Sequence, residues 1–254
     1  MTAGAWYDDA MPRHSLLSEL QKMAEPAYRD FAARLIPGET RMLGVRIPKL
    51  RKLAKQLVKG DTWKTLLQSP APQDASFEEL LLRAMLPAYA PHATTDERLF
   101  YLRQEQPRLN NWSLCDSACA GCHFVRSHKE EVFLWLQPFL HSEQEFTARF
   151  GVVMLNNYYA TDASWVPDVI RALQEVPQEA YYASMAVAWC GCTLLTSHID
   201  RHADIGHELL TPGFLPAHTH RLLLKKLRES QKNGRITKFT AHKNAFLFYH
   251  GDFW

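Results

Sequence analysis

Long hydrophobic runs are missing from this chain. No apolar stretch approaches the roughly 20 residues that cross a bilayer, because Arg, Lys or His interrupts every candidate, so no membrane span is expected. Alternating strand patterns are nearly absent, which points away from sheet-based architectures. There is no glycine-rich phosphate loop, and the 12 histidines fall in no Ser/His/Asp or Cys/His order. Neither nucleotide-cofactor chemistry nor a nucleophilic triad is therefore expected. The five cysteines, Cys115, Cys119, Cys122, Cys190 and Cys192, are an odd number set in apolar stretches, and no leading segment has the charged-then-apolar pattern of a signal peptide. The expectation is free thiols in a reducing, cytoplasmic compartment. Charge is almost balanced as well: a formal net charge of +2 is too small to mark a nucleic-acid binder by itself.

What the chain has is helical periodicity. Hydrophobic residues make up 46% of the 254 residues, ample for a buried core without metal or disulfides. Apolar residues recur at three- and four-residue spacing in Leu16 to Leu35, Phe77 to Ala90 and Leu222 to Leu227. Breaks are expected at Pro37-Gly38, Ser69-Pro70-Ala71-Pro72, Pro107, Pro138, Pro167, Pro177 and Thr211-Pro212-Gly213, leaving room for about a dozen helices. Phe77, Trp112, Phe146, Tyr182 and His218 fall near expected helix starts and lie 34 to 36 residues apart. Each interval holds a more polar helix and then a more apolar one, such as Glu130 to Leu140 followed by Phe146 to Tyr159. That pattern predicts an all-α solenoid of stacked helix pairs in a single domain spanning 1–254, with an irregular bundle as the alternative.

Charge and aromatic residues are distributed unevenly. Arg41, Arg46, Lys49, Arg51, Lys52, Lys55 and Lys59 form one basic stretch. Arg221, Lys225, Lys226, Arg228, Lys232, Arg235, Lys238 and Lys243 form a second. Each is either a nucleic-acid contact or a solvated helix face. In Asn111-Trp112-Ser113-Leu114-Cys115-Asp116-Ser117-Ala118 a tryptophan precedes an aspartate by four residues, which puts both on one helical face. An aromatic plane beside a carboxylate suits a flat cation, and Trp189, in Met185-Ala186-Val187-Ala188-Trp189, is a candidate to complete the cleft. The competing readings are a Ser113-x-x-Asp116 capping box and ordinary core tryptophans. Cys119-Ala120-Gly121-Cys122-His123 superficially matches a haem-attachment or half-zinc pattern. Cys115, Cys119 and Cys122 are instead expected on one buried helical face, as small apolar residues.

These pieces carry a resemblance. Leu43-Gly44-Val45-Arg46-Ile47-Pro48-Lys49-Leu50-Arg51-Lys52-Leu53-Ala54-Lys55, the Asn111 to Ser117 segment, Arg149 and Met185 to Trp189 resemble the HEAT-like-repeat DNA glycosylases of alkylation repair, over about residues 20–230. The resemblance implies a curved α-α superhelix with a concave DNA-binding face. It implies a catalytic cleft formed by Asp116, Trp112 and Trp189, with Arg149 holding the DNA backbone; Lys225, Lys226, Arg46, Lys49 and Arg51 of the two basic stretches are then expected to meet phosphates. The implied partner is double-stranded DNA carrying alkylated purines, with no cofactor and no metal. The chain departs from the family in its Cys-rich stretch after Asp116 and in its aromatic tail, residues 244–254. A monomer is expected, with self-association through that tail as the alternative. Two other functions fit the same pattern: a non-catalytic nucleic-acid-binding module, and a protein-interaction scaffold with an apolar rather than basic inner face.

Overall fold

The structure, a computed structural model, describes residues 13–198 and 208–232. The expected aromatic tail at 244–254, together with Arg235, Lys238 and Lys243, lies outside the described residues. Among the described residues every long element is an α-helix, and pairing of the strand type is confined to one isolated bridge between Pro212 and Leu215. The helices are α1 (Arg13–Met23), α2 (Pro26–Leu35), α3 (Ile47–Leu57), α4 (Thr62–Gln68), α5 (Phe77–Tyr89) and α6 (Thr95–Glu105). They continue with α7 (Trp112–Ala120), α8 (Lys129–Leu140), α9 (Glu145–Tyr158), α10 (Val166–Glu175), α11 (Tyr181–His198) and α12 (Ala217–Lys232).

The helices stack as the repeat spacing predicts. In α3, α5, α7, α9, α11 and α12 each helix packs on the next, forming one continuous layer. A second layer backs it, with α4 and α6 against α5, α8 against α9, and α10 against α11. The five repeat positions occupy equivalent places: Phe77 and Trp112 are the first residues of α5 and α7, and Phe146, Tyr182 and His218 are the second residues of α9, α11 and α12. Helices α5, α9 and α11 are covered on two sides by neighbours and on a third by the second layer, so they need apolar residues around most of their circumference. In α9 and α11 the buried set accordingly includes Phe150, Val152, Val153, Met154, Leu155, Ala186, Val187, Ala188, Leu194 and Leu195.

Three local expectations are corrected. The apolar run Leu16 to Leu35 is two helices, because Pro26 lacks the N–H that would continue the first and instead occupies an early position in α2. Pro138 does not end its helix: α8 continues to Leu140, and the residue four positions earlier, Leu134, is 72% exposed, where water can satisfy the carbonyl the proline leaves unpaired. The third correction concerns the cysteines. Helix α7 stops at Ala120, so Cys122 lies beyond the helical face shared by Cys115 and Cys119, although all three are buried. The stop is at Gly121, where a Cβ would come within 2.8 Å of the Tyr89 ring.

Polar ties dock the N-terminal helices on the inner layer. The Trp112 indole Nε1–H donates to the Leu35 carbonyl at 3.1 Å, and the Glu25 N–H donates to the Gly44 carbonyl at 3.0 Å. Gly44 has φ +98°, and a Cβ there would meet the Glu25 carbonyl at 2.6 Å. Only glycine fits both demands. The buried Glu78 carboxylate accepts from the backbone N–H groups of Leu43, Gly44 and Val45, which fixes the chain immediately before α3.

Candidate functional site

The start of α7 decides what Asp116 is for. The N-cap residue is Asn111, whose side-chain oxygen accepts from the N–H groups of Ser113 at 3.0 Å and Leu114 at 3.1 Å. This already satisfies the Ser113 N–H, the donor that the Asp116 carboxylate would have taken in a Ser113-x-x-Asp116 box. Asp116 is the fifth residue of the helix, beyond capping reach, and its carboxylate is available for another partner.

That partner is Arg149 on α9. The guanidinium donates from Nε to Asp116 Oδ1 at 3.0 Å and from Nη2 to Oδ2 at 2.8 Å, a two-pronged pairing that Lys cannot make. A third donor, Nη1, goes to the Tyr182 carbonyl at 3.0 Å. The side chains are 6% exposed for Arg149 and 25% for Asp116, so the pair presents its negative end outward. Burial pushes the Asp116 carboxyl above the ordinary carboxylate range, and the adjacent guanidinium pulls it back down by charge and hydrogen bonding.

Two cavities meet at this carboxylate. One, of about 460 Å³, is lined by Asp116, Arg149, Trp189, Thr193, Lys226 and Ser230 among others. The other, of about 230 Å³, lies between α2, α3, α5 and α7 and is mainly apolar, with Tyr28, Phe31, Met42, Phe77, Trp112 and Asp116 in its wall. The two tryptophans thus flank Asp116 from separate cavities and do not wall a single one. Trp189 is 37% exposed, whereas Trp112 is half-buried with its N–H spent on Leu35. Along α11 the residues Tyr182, Met185, Trp189, Thr193 and Thr196 follow at three- and four-residue steps, so the last four form the wall of the larger cavity. Thr193, Thr196 and Ser230 were not singled out from sequence, although this spacing marks the two threonines.

The remaining candidates do not converge on one surface. Arg149, expected to reach a phosphate, is instead buried behind the carboxylate, with Nε, Nη1 and Nη2 donating to Asp116 and Tyr182. Lys226 lines the larger cavity and pairs with Glu229 at 3.0 Å. Lys225, one residue and hence about 100° round the helix, is exposed away from that cavity. On the other end of the inner layer, Arg46 and Lys49 both pair with Glu25 at 2.8 Å and hold its carboxyl below the ordinary range. Arg46 also lies over the Tyr28 ring at 4.9 Å. Arg51 is exposed and lines the apolar cavity, and Lys52 beside it is exposed too.

Of the cysteines only Cys192 reaches the larger cavity, with its sulfur 3.4 Å from the Ser230 hydroxyl. All five are buried and none forms a disulfide. Burial pushes the Cys122 thiol up to about 12 and raises Cys115, Cys119 and Cys190 as well, so these four remain protonated near neutral pH. Among the described residues no group of three or more His, Cys, Asp or Glu side chains is placed to hold a metal ion, and no helix is long and apolar enough to cross a membrane.

Comparison with known proteins identifies a family. The family model described as DNA alkylation repair enzyme matches residues 16–179, which covers α2 to α10 and therefore Asp116, Trp112 and Arg149 but not Trp189. No curated protein and no solved structure matches the chain.

Proposed function

The chain belongs to the DNA alkylation repair enzyme family, and from that premise we propose that it is a DNA glycosylase hydrolysing the N-glycosidic bond of N3- or N7-alkylated purines in duplex DNA. The observation that carries this reading is the Asp116–Arg149 pair, with its carboxylate end outward at the junction of two cavities that each hold a tryptophan. Alkylation at N3 or N7 makes the purine cationic and already a good leaving group, so little help from a general acid is needed. As the bond breaks, positive charge develops on the deoxyribose, and Asp116 stabilises that charge and aligns water for attack. Two charges about 4 Å apart interact by about 4 kcal/mol at an effective dielectric of 20. Arg149 reduces this figure by neutralising part of the carboxylate, and in return keeps it ionised and oriented. Trp112 and Trp189 exclude water on either side of the sugar.

DNA binding on this reading falls to the two ends of the inner layer, α3 with Lys49, Arg51 and the preceding Arg46, and α12 with Lys225 and Lys226. Replacing Lys225 and Lys226 together by Ala is expected to weaken binding to intact and damaged duplexes alike. The slope of log affinity against log salt should fall by about 0.9 for each phosphate that is no longer neutralised. Anisotropy titrations over a salt series measure this, and an unchanged slope removes α12 from the interface.

The decisive assay incubates the protein with duplex DNA carrying N7-methylguanine or N3-methyladenine and measures free base. Release of base from an otherwise unbroken strand is expected. Binding without release identifies a non-catalytic DNA-binding module, and the absence of both points to a protein-interaction scaffold.

A further inference from the structure

An α-helix leaves its first N–H groups without partners inside the helix. In α11 one of these, the Tyr182 N–H, donates to the Glu145 carboxylate of α9 at 2.6 Å. Arg149, one turn further along α9, donates to the carbonyl of the same residue at 3.0 Å. Both backbone groups of Tyr182 are therefore gripped by an oppositely charged i,i+4 pair on the neighbouring helix. The Phe146 and Tyr182 rings, with centroids 5.3 Å apart, pack together beside this grip.

The consequence lies two turns along α11. Trp189 follows Tyr182 by seven residues, on the same face and about 10 Å along the axis. The other edge of Arg149 holds Asp116, so one chain of bonds runs from the carboxylate through Arg149 to the head of α11. Beyond Trp189 the Thr193 hydroxyl donates to Asn156 Oδ1 of α9 at 2.7 Å, and before it Glu145 adds a second restraint to that of Arg149 at the head of α11.

We propose that Glu145 is a positioning residue that fixes the register of α11 on α9 and so holds Trp189 opposite Asp116 across the larger cavity. Its effect on rate rests on the glycosylase reading, whereas the placement of Trp189 does not. A misplacement of about 1 Å can cost about 100-fold in rate, and loss of one of several restraints should cost about tenfold. Glu145→Ala is therefore expected to lower single-turnover base release about tenfold at saturating enzyme while the Kd for undamaged duplex stays within about twofold. Glu145→Gln, whose side-chain carbonyl still accepts the Tyr182 N–H, should retain the parent rate within about threefold. An unchanged rate in Glu145→Ala, or equal losses in the Ala and Gln variants, overturns the proposal.

A second readout is independent of activity. Acrylamide quenching of Trp189, taken as the difference between each protein and its Trp189→Phe counterpart, should change in Glu145→Ala and not in Glu145→Gln. If the parent releases no base, the glycosylase reading fails and the quenching result still decides the positioning role. Should Glu145→Ala not fold, hydrogen exchange in the parent decides it. The Tyr182 amide is expected to exchange at least about tenfold more slowly than an unpaired first-turn amide, and an unprotected amide overturns the proposal.

Discussion

Asp116→Asn is expected to lower base release by about 10²–10³-fold, with DNA affinity unchanged or higher. The substitution keeps the size of the side chain and removes the charge that, on the proposed glycosylase reading, acts on the developing oxocarbenium ion. If the full interaction of about 4 kcal/mol operated, the loss would approach about 10³-fold, and the partial neutralisation by Arg149 places it somewhat lower. On the same reading affinity should not fall, because a carboxylate in the DNA-binding cleft would repel phosphate in the ground state. Single-turnover measurements with enzyme in excess separate the chemical step from binding, and an anisotropy titration on the same variant supplies the affinity. Base release by the Asp116→Asn variant at the parent rate would remove Asp116 from the mechanism. Since Asn111 supplies the cap of α7, a loss of activity cannot be ascribed to a missing Asp116 cap.

Arg149→Ala is expected to act on stability and on pH dependence together. Removing one partner of a buried ion pair costs about 3–5 kcal/mol, and the quarter-exposed Asp116 places this pair near the lower end. Burial already lifts the Asp116 carboxyl above its ordinary 3.8, and the variant loses the guanidinium that draws it back down. A carboxyl that is higher in the folded than in the unfolded protein binds its proton more tightly when folded. Its contribution to stability is complete below the ordinary value and is lost as pH rises through the folded value. Raising the folded value further widens that window, so the deficit of Arg149→Ala against the parent should be larger at pH 8 than at pH 5. Denaturant melts at the two pH values test this, and equal deficits would show that the carboxyl does not respond to Arg149. Activity should move with it: the acid limb of the pH–rate profile is expected at higher pH in the variant, because only the ionised carboxylate stabilises the transition state.

Part of this was legible in the chain itself. The 34 to 36 residue spacing from Phe77 to His218 marks helix starts because each repeat must present its apolar face at the same point of the stack, and all five positions fall at the first or second residue of a helix. The four-residue step from Trp112 to Asp116 sets both on one face through helix geometry alone. Local capping was harder to read: Ser113-x-x-Asp116 has the form of a box, but Asn111 outcompetes Ser113 as the cap and the helix starts earlier than the box requires. The apolar rows of α1 and α2 likewise run in phase across Pro26, so periodicity joins what the missing N–H separates.

The sequence alone determined the helical class, the repeat and the faces on which Trp112, Asp116 and Trp189 stand, because these depend on 3.6-residue periodicity within single helices. Tertiary structure alone decided the partners. Arg149 and Asp116 are 33 residues apart, and whether such an arginine meets DNA or a carboxylate depends on how α9 is rotated and raised against α7. The same holds for the division into two cavities and for the grip of Glu145 and Arg149 on Tyr182. Spacing specifies which way a side chain leaves its own helix, whereas the packing of neighbouring helices fixes what it finds there.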